Sequence, residues 1–433
     1  MPATATQDEI NDKKSSKPNH SVFVDLLKVL LFYFCAVMAA SNISSSGNGW
    51  RLILIQFLST VKGDLANITA PPFFLAPSSV VENPRCWAQR PKVFAAPSLE
   101  PSAEKRSLLV LQLFLIGLRP QLYIAGSPGV SIKKPLNAFL GELFFASWTD
   151  GDCTTRLVSE QVSHHPPITA MHLADSVHGV RADGYARVEM TFTTSVNIRQ
   201  IGHTILHIDR FDEDYLLPLP DVQVRGLLSA CFYPEITGSY RIISSSGYVS
   251  EVKFSGAGLI RGGRNQFEAS IFHCSYPKTR LYEISGVWSE GWVIKEGRTG
   301  KILEIYQVDA PENKPSDMQI EPIEEQDPWE SRHAWRSVIE ELKLGNLRAA
   351  ATAKNTLEEA QRQMRKKEKD TGETWNPLLF ESRPGTTHQV FHNLTKGTNW
   401  TLLDSQTKGV WRIDDDLLAG LQKPYRGSHT PMQ

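Results

Sequence analysis

The residues best suited to bind a ligand in this 433-residue chain are two adjacent histidines, His164 and His165. They belong to the string EQVSHHPP, Glu160–Pro167. The first proline biases His165 away from helix, and neighbouring imidazoles can donate hydrogen bonds to one compact anion such as a phosphate monoester. A solvated turn is the more frequent role of a bare His-His-Pro-Pro sequence. The residues alone therefore leave anion binding and a plain turn both open.

Two further groups of polar residues suit an anionic ligand. Lys134 and Asn137 precede the histidines. Lys354, Glu358 and Arg362 recur at i, i+4 and i+8, which places them on one face of a helix. There, arginine can hold a phosphate through two parallel hydrogen bonds, lysine supplies a point charge, and the carboxylate orients both or accepts from sugar hydroxyls. Ordinary ion pairs on a solvated helix are the alternative.

Composition excludes several classes of protein. The hydrophobic fraction of 41% and the charged fraction of 21% are those of a globular protein. The net charge of −1 gives no electrostatic case for nucleic acid. The few cysteines form no Cys-x-x-Cys pair, which argues against a zinc ribbon or a thioredoxin motif and suits a reducing compartment. We expect no metal site and no cofactor. The cysteines are Cys35, Cys86, Cys153, Cys231 and Cys274.

The N-terminal region precedes any recognisable domain. Residues 1–20 are polar and are expected to be disordered. Ser21–Ala40 is mostly apolar but contains Asp25 and Lys28, and the uninterrupted run Val29–Ala40 is shorter than the roughly 20 residues of a spanning helix. A signal peptide, a membrane anchor, a peripheral helix and a mistranslated stretch of gene remain alternatives.

A short amphipathic helix is predicted after a Ser/Gly-rich break at residues 44–49. Its apolar residues form one stripe. Such a helix usually packs on its own core. Its isolation also suits a mobile lid that covers an apolar pocket when closed and touches a bilayer when open. The residues of this lid stripe are Trp50, Ile53, Leu54, Phe57, Leu58 and Val61.

Period-two alternation dominates from about Asn137 to Val308 and is clearest between Glu189 and Ile198. Many short runs separated by glycine-rich turns predict an antiparallel meander that closes into a barrel and can enclose a ligand. Past Pro311, residues 329–344 and 346–370 are predicted to be two helices. The later basic residues of the second helix are predicted to be a solvated face; they are Arg365, Lys366, Lys367 and Lys369.

Several of these segments resemble blocks of the oxysterol-binding-protein family, in the same order. The resemblance covers roughly residues 48–380 and is strongest to short fungal members that consist of the lipid-binding domain alone. The matching segments are Asp64–Leu75, Phe94–Ser98, Lys133–Leu143, Glu160–Pro167, Glu324–Arg332 and Leu357–Arg362.

The resemblance implies an α+β fold: a large incomplete antiparallel β-barrel around a hydrophobic tunnel, with an N-terminal lid and flanking helices. The expected organisation is an extension over residues 1–47, a lipid-binding domain over 48–420 and a tail over 421–433. Within the domain we expect the lid at 48–63, the barrel at about 135–310 and the C-terminal helical region at about 325–420.

The resemblance also implies a function without covalent chemistry. The protein would exchange a sterol, or another lipid, for phosphatidylinositol 4-phosphate between membranes, acting in the cytoplasm as a peripheral protein at the endoplasmic reticulum, Golgi or other membranes. A phosphoinositide sensor without net transport is the alternative. By resemblance, His164, His165 and Arg362 would hold the 4-phosphate, Lys134 and Asn137 the glycerol phosphate, and Lys354 and Glu358 the inositol region.

The sterol site implied by the resemblance is less complete. Leu122 stands where sterol-binding relatives have tyrosine, Ala186 stands where they have asparagine, and Leu115–Ser131 as a whole departs from the family pattern. A pocket that lacks two polar partners leaves a sterol hydroxyl poorly satisfied. The residues that fit the pattern of the tunnel floor are Trp87, Gln121 and Gln200.

An enzyme is the alternative class of protein to a lipid-exchange protein. His164, His165 and His172, or His203 with His207, are conceivable metal ligands. However, residues 203–207 look like a strand, in which i and i+4 are far apart, and no His-Glu-x-x-His motif is present. Ser163 precedes His164 in an extended segment, so their side chains point apart. The sequence therefore favours a protein without catalytic residues.

Overall fold

The structure is a computed structural model that describes residues 72–193, 195–226, 231–256, 263–372 and 375–432. The predicted lid and the apolar segment 21–40 lie outside these residues. Among the described helices, none is both long enough and apolar enough to cross a bilayer.

One large antiparallel sheet of fifteen strands dominates the fold. Its strands are β3 (Leu143–Asp150), β4 (Cys153–His164), β5 (Pro167–Asp175), β6 (Val180–Phe192), β7 (Val196–Ile208), β8 (Glu213–Leu217), β9 (Val222–Arg225), β10 (Tyr233–Ile236), β11 (Gly238–Ser244), β12 (Tyr248–Ser255), β13 (Gln266–His273), β14 (Tyr282–Val287), β15 (Gly291–Glu296), β16 (Ile302–Gln307) and β17 (Met318–Gln319). Their order is β16-β15-β14-β13-β12-β11-β8-β7-β6-β5-β4-β3-β17; β9 pairs with β7, and β10 pairs with β9.

The two outer strands, β16 and β17, are not paired with each other, so the sheet does not close. This confirms the predicted incomplete antiparallel barrel. Two small sheets accompany it: parallel β1 (Leu75–Ser79) with β2 (Lys134–Leu136), and antiparallel β18 (Phe380–Arg383) with β19 (Val410–Ile413).

Helices flank the sheet at both ends of the described chain. Three precede it: α1 (Arg85–Ala88), α2 (Pro91–Leu99) and α3 (Ala103–Leu122). Five follow it: α4 (Ser331–Ala334), α5 (Arg336–Lys343), α6 (Leu347–Thr371), α7 (Gln389–Thr395) and α8 (Asp415–Ala419). Short 3₁₀ segments span Pro72–Phe74, Val80–Glu82, Asp209–Phe211, Pro311–Asn313, Gly385–Thr387 and Asp404–Gln406.

The two faces of the sheet have separate apolar cores. On one face, α3 is buried along most of its length and packs with α1 and α2 against strands from both halves of the sheet. On the other, the C-terminal region covers β3 to β6 through large side chains that lie outside its helices, such as Trp329, Trp335 and Trp411. Strand β4 contributes Leu157 to the first core and Val158 and Val162 to the second, so it is held from both sides.

Two sequence predictions need correction. The alternating run between Glu189 and Ile198 is not one strand, because β6 ends at Phe192 and β7 begins at Val196. Residues 329–344 are not one helix, because α4 ends at Ala334 and α5 begins at Arg336, on either side of the buried Trp335. The later helix is confirmed as α6, with the Asn346 side chain accepting from the Ala349 N–H.

Candidate anion-binding site at the end of strand β4

The acid that opens the histidine motif has a structural role. Glu160 is fully buried, and its carboxylate accepts from the backbone N–H groups of Leu378 at 2.7 Å and Leu379 at 2.9 Å. Arg426 lies 3.6 Å from the same carboxylate. Burial raises the pKa of Glu160 to about 6, against the lowering effect of these donors. Glu160 therefore ties β4 to the C-terminal segment.

The next polar residues shape the turn between β4 and β5. Gln161 Oε1 accepts from the Thr169 hydroxyl at 2.6 Å, and the Ser163 hydroxyl donates to the Pro166 carbonyl at 2.7 Å. The β4–β5 register shifts between Gln161 and Ser163. Since the Ser163 hydroxyl is committed to Pro166, it is not poised beside His164 as a nucleophile, in line with the extended backbone.

The two histidines lie together where β4 ends. Their ring centroids are 4.6 Å apart and the ring planes are 70° from parallel. His164 Nδ1 is 3.0 Å from the Ala138 carbonyl oxygen. Because a carbonyl only accepts, Nδ1 must carry a hydrogen, which leaves Nε2 as the atom that gains or loses the second proton. His164 is half-buried and His165 is exposed.

The surroundings keep both imidazoles neutral near pH 7. Burial, assisted by the neighbouring His165, lowers the pKa of His164 to about 4; Glu358 acts in the raising direction and Arg365 in the lowering one. Burial and then the Lys408 ammonium lower the pKa of His165. An anionic ligand would act in the opposite direction, because a nearby negative charge favours the protonated ring.

A second buried carboxylate fixes the loop that carries Ala138. Glu142 accepts from the Phe139 N–H at 3.0 Å, the Trp335 Nε1–H at 2.8 Å and the Ser331 hydroxyl at 2.7 Å. Burial raises its pKa to about 7. The loop, the histidines and the start of the C-terminal helices are thus positioned through one side chain.

The remaining predicted head-group residues lie on two elements. Lys134 lies in β2 and Asn137 directly follows that strand; both are half-buried and both already have interaction partners. On α6, Lys354 is buried and forms an ion pair with the half-buried Glu358, whose charge reaches His164.

Arg362 differs from the other predicted residues. Its side chain is 55% exposed, and its Nη2 atom is 2.6 Å from the Glu359 carboxylate. The structure therefore places Arg362 in a surface ion pair on α6. Its assignment to the 4-phosphate stays a prediction from the resemblance.

Arg365 is a cation that the sequence prediction assigned wrongly to a solvated face. It is half-buried, lies 2.7 Å from Glu368, and lowers the pKa of His164. Within the described part of the chain, its Nε and Nη1 atoms are buried and have no hydrogen-bond partner. A helix of 3.6 residues per turn rotates Arg365 about 20° from Lys354, but Arg362 about 80°. That spacing was the available signal.

Lys408 is a second residue that the sequence did not single out. It lies in the turn before β19, with a positive φ of 56°, and its charge lowers the pKa of His165. Burial lowers the pKa of its own ammonium group. No periodicity or motif marks this lysine, since only the packing of β19 onto β5 and β6 brings it near the histidines.

The predicted sterol residues are not all brought together. Trp87 packs against Gly117 of α3, where a Cβ atom would lie 2.5 Å from the Trp87 ring, and Gln121 follows one turn later. Gln200, however, donates to the Pro220 carbonyl at 2.6 Å. It lines a cavity of about 250 Å³ together with Trp400 of the C-terminal region.

The two atypical positions have clear surroundings. Leu122 packs against the core of α1–α3, and Ala186 pairs with Gly202 across β6 and β7. A buried phenol lies one residue beyond Leu122: the Tyr123 oxygen accepts from Asn265 Nδ2 at 2.9 Å. The sequence prediction of tunnel residues did not include this hydroxyl.

The histidines considered as metal ligands have other partners. His172 Nδ1 lies 2.9 Å from Asp183, His207 Nδ1 lies 2.8 Å from Asp214, and His203 Nε2 lies 2.9 Å from His388 Nε2. These contacts place His203 and His207 in different surroundings, as expected for a strand.

Comparison with known proteins agrees with this fold. Residues 53–408 match the family model of the oxysterol-binding protein. The chain is 46% identical over 378 residues to the probable transporter efuK of Hormonema carpetanum, covering 86% of this chain but only 54% of that protein. It is 35% identical to protein kes1 of Schizosaccharomyces pombe, covering 78% of this chain and 88% of that protein.

Solved structures give the same answer for the fold. The Osh1 ORD domain in complex with ergosterol matches with a TM-score of 0.62 at 19% identity, over 85% of this chain and 92% of that one. The Osh3 ORD from Saccharomyces cerevisiae in complex with PI(4)P matches with a TM-score of 0.61 at 21% identity, over 80% and 95%. With the family model matching most of its length, this chain belongs to the oxysterol-binding protein family.

Proposed function

We propose that this chain binds the phosphorylated head group of phosphatidylinositol 4-phosphate at the end of β4 and exchanges that lipid for a sterol, or another lipid, between membranes. The observation that supports it best is the convergence of cations around two protonatable imidazoles. These cations are Lys354, Arg365 and Lys408.

The chemistry of a phosphate monoester fits this site. Such a group carries about −1.5 to −2 charges at pH 7 and presents three acceptor oxygens. His164 Nε2 and the His165 ring supply donors that become cationic as the anion approaches, because the anion reverses the lowering of their pKa values. Lys354, already buried beside Glu358, adds a charge whose desolvation has been compensated before the ligand arrives.

The likeness to relatives supports the lipid part of the proposal. Osh3 ORD was solved with PI(4)P and Osh1 ORD with ergosterol and with cholesterol. Here, the acyl chains or a sterol would occupy the interior of the incomplete barrel. Leucine at position 122 and alanine at 186 remove two polar partners of a sterol hydroxyl, so we expect sterol to bind this chain more weakly than the phosphoinositide.

The proposed exchange has no covalent step and needs no cofactor. The protein would act in the cytoplasm as a peripheral membrane protein that binds membranes such as those of the endoplasmic reticulum and Golgi. A sensor that binds the head group without moving the lipid is the second candidate, because the same cations suffice for recognition. Deletion of residues 48–63 separates the two, since exchange needs the lid and head-group recognition does not.

A two-liposome assay with purified full-length protein tests the proposal. Phosphatidylinositol 4-phosphate and a fluorescent sterol are followed in opposite directions, with His164→Ala/His165→Ala beside His429→Ala as an exposed histidine control. The proposal expects coupled transport that the double variant loses and the control keeps. Equal extraction of the phosphoinositide by wild type and double variant would refute the head-group site. Extraction without release would favour the sensor.

A further inference from the structure

A mixed cluster of metal-binding side chains lies at the opposite end of β4. Asp152 and Cys153 stand where β3 turns into β4, and His178 lies in the turn between β5 and β6. Cys153 Sγ is 3.6 Å from Asp152 Oδ1 and 3.9 Å from His178 Nε2. Asp152 Oδ2 is also 3.9 Å from His178 Nε2. Three different donor types thus face one point.

These separations are close to those of ligands on a common metal ion. With Zn–S of about 2.3 Å and Zn–N or Zn–O of about 2.0–2.1 Å, a tetrahedral site spaces its ligand atoms by about 3.3–3.6 Å. With one ligand atom from each residue, the three atoms lie within 4.8 Å of one another, so closing the site needs an inward movement of at most about 1.5 Å. Asp152 can make much of that movement, because its side chain is 83% exposed.

The histidine is oriented as a metal-binding histidine would be. Its Nδ1 lies 3.0 Å from Asp175 Oδ2, so Nδ1–H donates to that carboxylate and Nε2 points at Cys153 and Asp152. The His178 side chain is only 8% exposed. A carboxylate behind a ligating imidazole is the usual device that fixes its tautomer and orientation.

The orienting carboxylate is itself held rigidly. Asp175 is fully buried and accepts from the N–H groups of Val177 at 3.1 Å, His178 at 3.0 Å and Thr154 at 3.1 Å. Since Thr154 belongs to β4 and the other two to the β5–β6 turn, Asp175 joins the two segments that carry the cluster. The imidazole is therefore aimed by a preformed support.

The surrounding charge favours a cation. Lys92 is paired with Asp150 at 2.7 Å, which leaves the carboxylates of Asp152 and Asp175 as the excess charge beside the thiol. A thiol that simply shares hydrogen bonds with Asp152 and His178 is the alternative explanation. It accounts for the contacts, but it gives no reason for three donors of different chemistry to converge.

We propose that Asp152, Cys153 and His178 bind a zinc ion, with water as the fourth ligand. Thiolate, imidazole and carboxylate together select a borderline-soft divalent ion over magnesium or calcium. No sequence motif predicts this site, because Cys153 and His178 are 25 positions apart and no Cys-x-x-Cys or His-x-x-x-His spacing connects them. The ion would clamp two neighbouring turns of the sheet.

The site is independent of the anion-binding site. Cys153 begins β4 and His164 ends it, so eleven residue steps of extended strand, about 36 Å, separate them. Loss of one site should leave the other intact, and failure of this proposal would not touch the proposed lipid exchange.

The test uses purified full-length protein equilibrated with Zn²⁺ and then dialysed. Bound zinc is measured by elemental analysis, and Co²⁺ substitution reports on thiolate ligation through its charge-transfer absorption. The variants are Asp152→Ala, which changes a side chain that is 83% exposed, Cys153→Ser and His178→Gln, with Cys274→Ser as the exposed-cysteine control.

The expected result is about one zinc per chain in wild type and in Cys274→Ser. The stoichiometry should fall below a tenth of that in Cys153→Ser and His178→Gln, and Asp152→Ala should bind more weakly by about 10-fold or more. Asp175→Asn, which removes the orienting charge, should weaken binding about 10- to 100-fold. Wild type without zinc, or zinc and cobalt–thiolate absorption unchanged in Cys153→Ser, would overturn the proposal.

Discussion

The two ends of β4 differ in charge although one strand carries both. At its start, Cys153 and His178 lie among the carboxylates of Asp152 and Asp175. At its end, His164 lies within reach of cations on α6. Most of the strand is buried, and it pairs with β3 from Cys153 to Glu160 and with β5 from Arg156 to His164, so its position is fixed from both sides. The turns, and not the strand, therefore determine the chemistry at each end.

The backbone also differs between these ends. Pairing with β3 is regular from Cys153 to Glu160, whereas pairing with β5 shifts between Gln161 and Ser163. A shift of this kind redirects the side chains beyond it and is common beside binding sites. At the anionic end, Asp175 anchors the turn through backbone N–H groups without any irregularity in the β4–β5 pairing there.

The largest expected effect is that variants at the two ends of β4 lose different ligands. His164→Ala/His165→Ala should weaken phosphatidylinositol 4-phosphate binding about 100-fold or more, because two charge-assisted hydrogen bonds are worth about 1.5–3 kcal/mol each. The same variant should keep its zinc, while Cys153→Ser should lose zinc and keep the lipid. Liposome co-sedimentation and metal analysis on the same preparations measure both; a variant that loses both ligands would mean the ends are coupled.

The next effect concerns the support beneath the cationic end. Glu160→Ala leaves two buried N–H groups without an acceptor and Arg426 without its carboxylate, so the free energy of unfolding should fall by about 3 kcal/mol or more. Urea denaturation measures it. Glu251→Ala, which breaks the exposed ion pair with Arg241, should cost less than about 1 kcal/mol. Equal losses would deny Glu160 its anchoring role.

Phosphoinositide affinity measured as a function of pH tests the electrostatic part of the comparison. The pKa of His164 is lowered to about 4 in the free protein, and a phosphate would raise it, so binding takes up a proton. Affinity for phosphatidylinositol 4-phosphate should therefore increase as pH falls from about 7.5 to about 6.5, while the phosphate, whose second pKa is about 6, still keeps most of its second charge. Titration with wild type and His164→Gln checks this. A wild-type profile as flat as that of the variant would contradict it.

The smallest effect distinguishes two arginines of α6. Arg365→Gln should weaken phosphoinositide binding about 10-fold, because the half-buried guanidinium faces His164 and loses a charge-assisted hydrogen bond. Arg362→Gln should weaken it only about 2- to 3-fold, as expected for an exposed pair with Glu359. The opposite order would restore the role that the family resemblance implies for Arg362.

Much of the architecture was predictable from local patterns. The histidine string, the alternating strands and the helix after Asn346 are encoded within short windows of sequence, and the structure has them in the predicted order. The lid stripe lies outside the described residues, so that prediction stays open. Among the predicted head-group residues, the histidines, Lys354 and Glu358 lie together, and the spacing within each pair is set locally along β4 or α6.

The rest depends on contacts between distant parts of the chain. The break between α4 and α5 at Trp335 follows from the hydrogen bond of this side chain to Glu142, 193 residues earlier. No helical pattern in the sequence predicts it. Spacing gave the position of Arg365 on α6 but not which side of that helix faces β4. Cys153 and His178 meet only because the β3–β4 and β5–β6 turns lie side by side. Lys408 lies near His165 only because β19, which follows it, packs on β5 and β6.

The last residues of the chain have a practical consequence. Gln361 donates to the Pro431 carbonyl at 2.7 Å, Trp329 donates to the His429 carbonyl at 2.9 Å, and Arg426 lies against Glu160. The segment predicted as a tail thus braces the helix and the strand that present the head-group residues. An affinity tag or fluorescent protein fused directly after these residues would strain this brace and mimic a loss of ligand recognition.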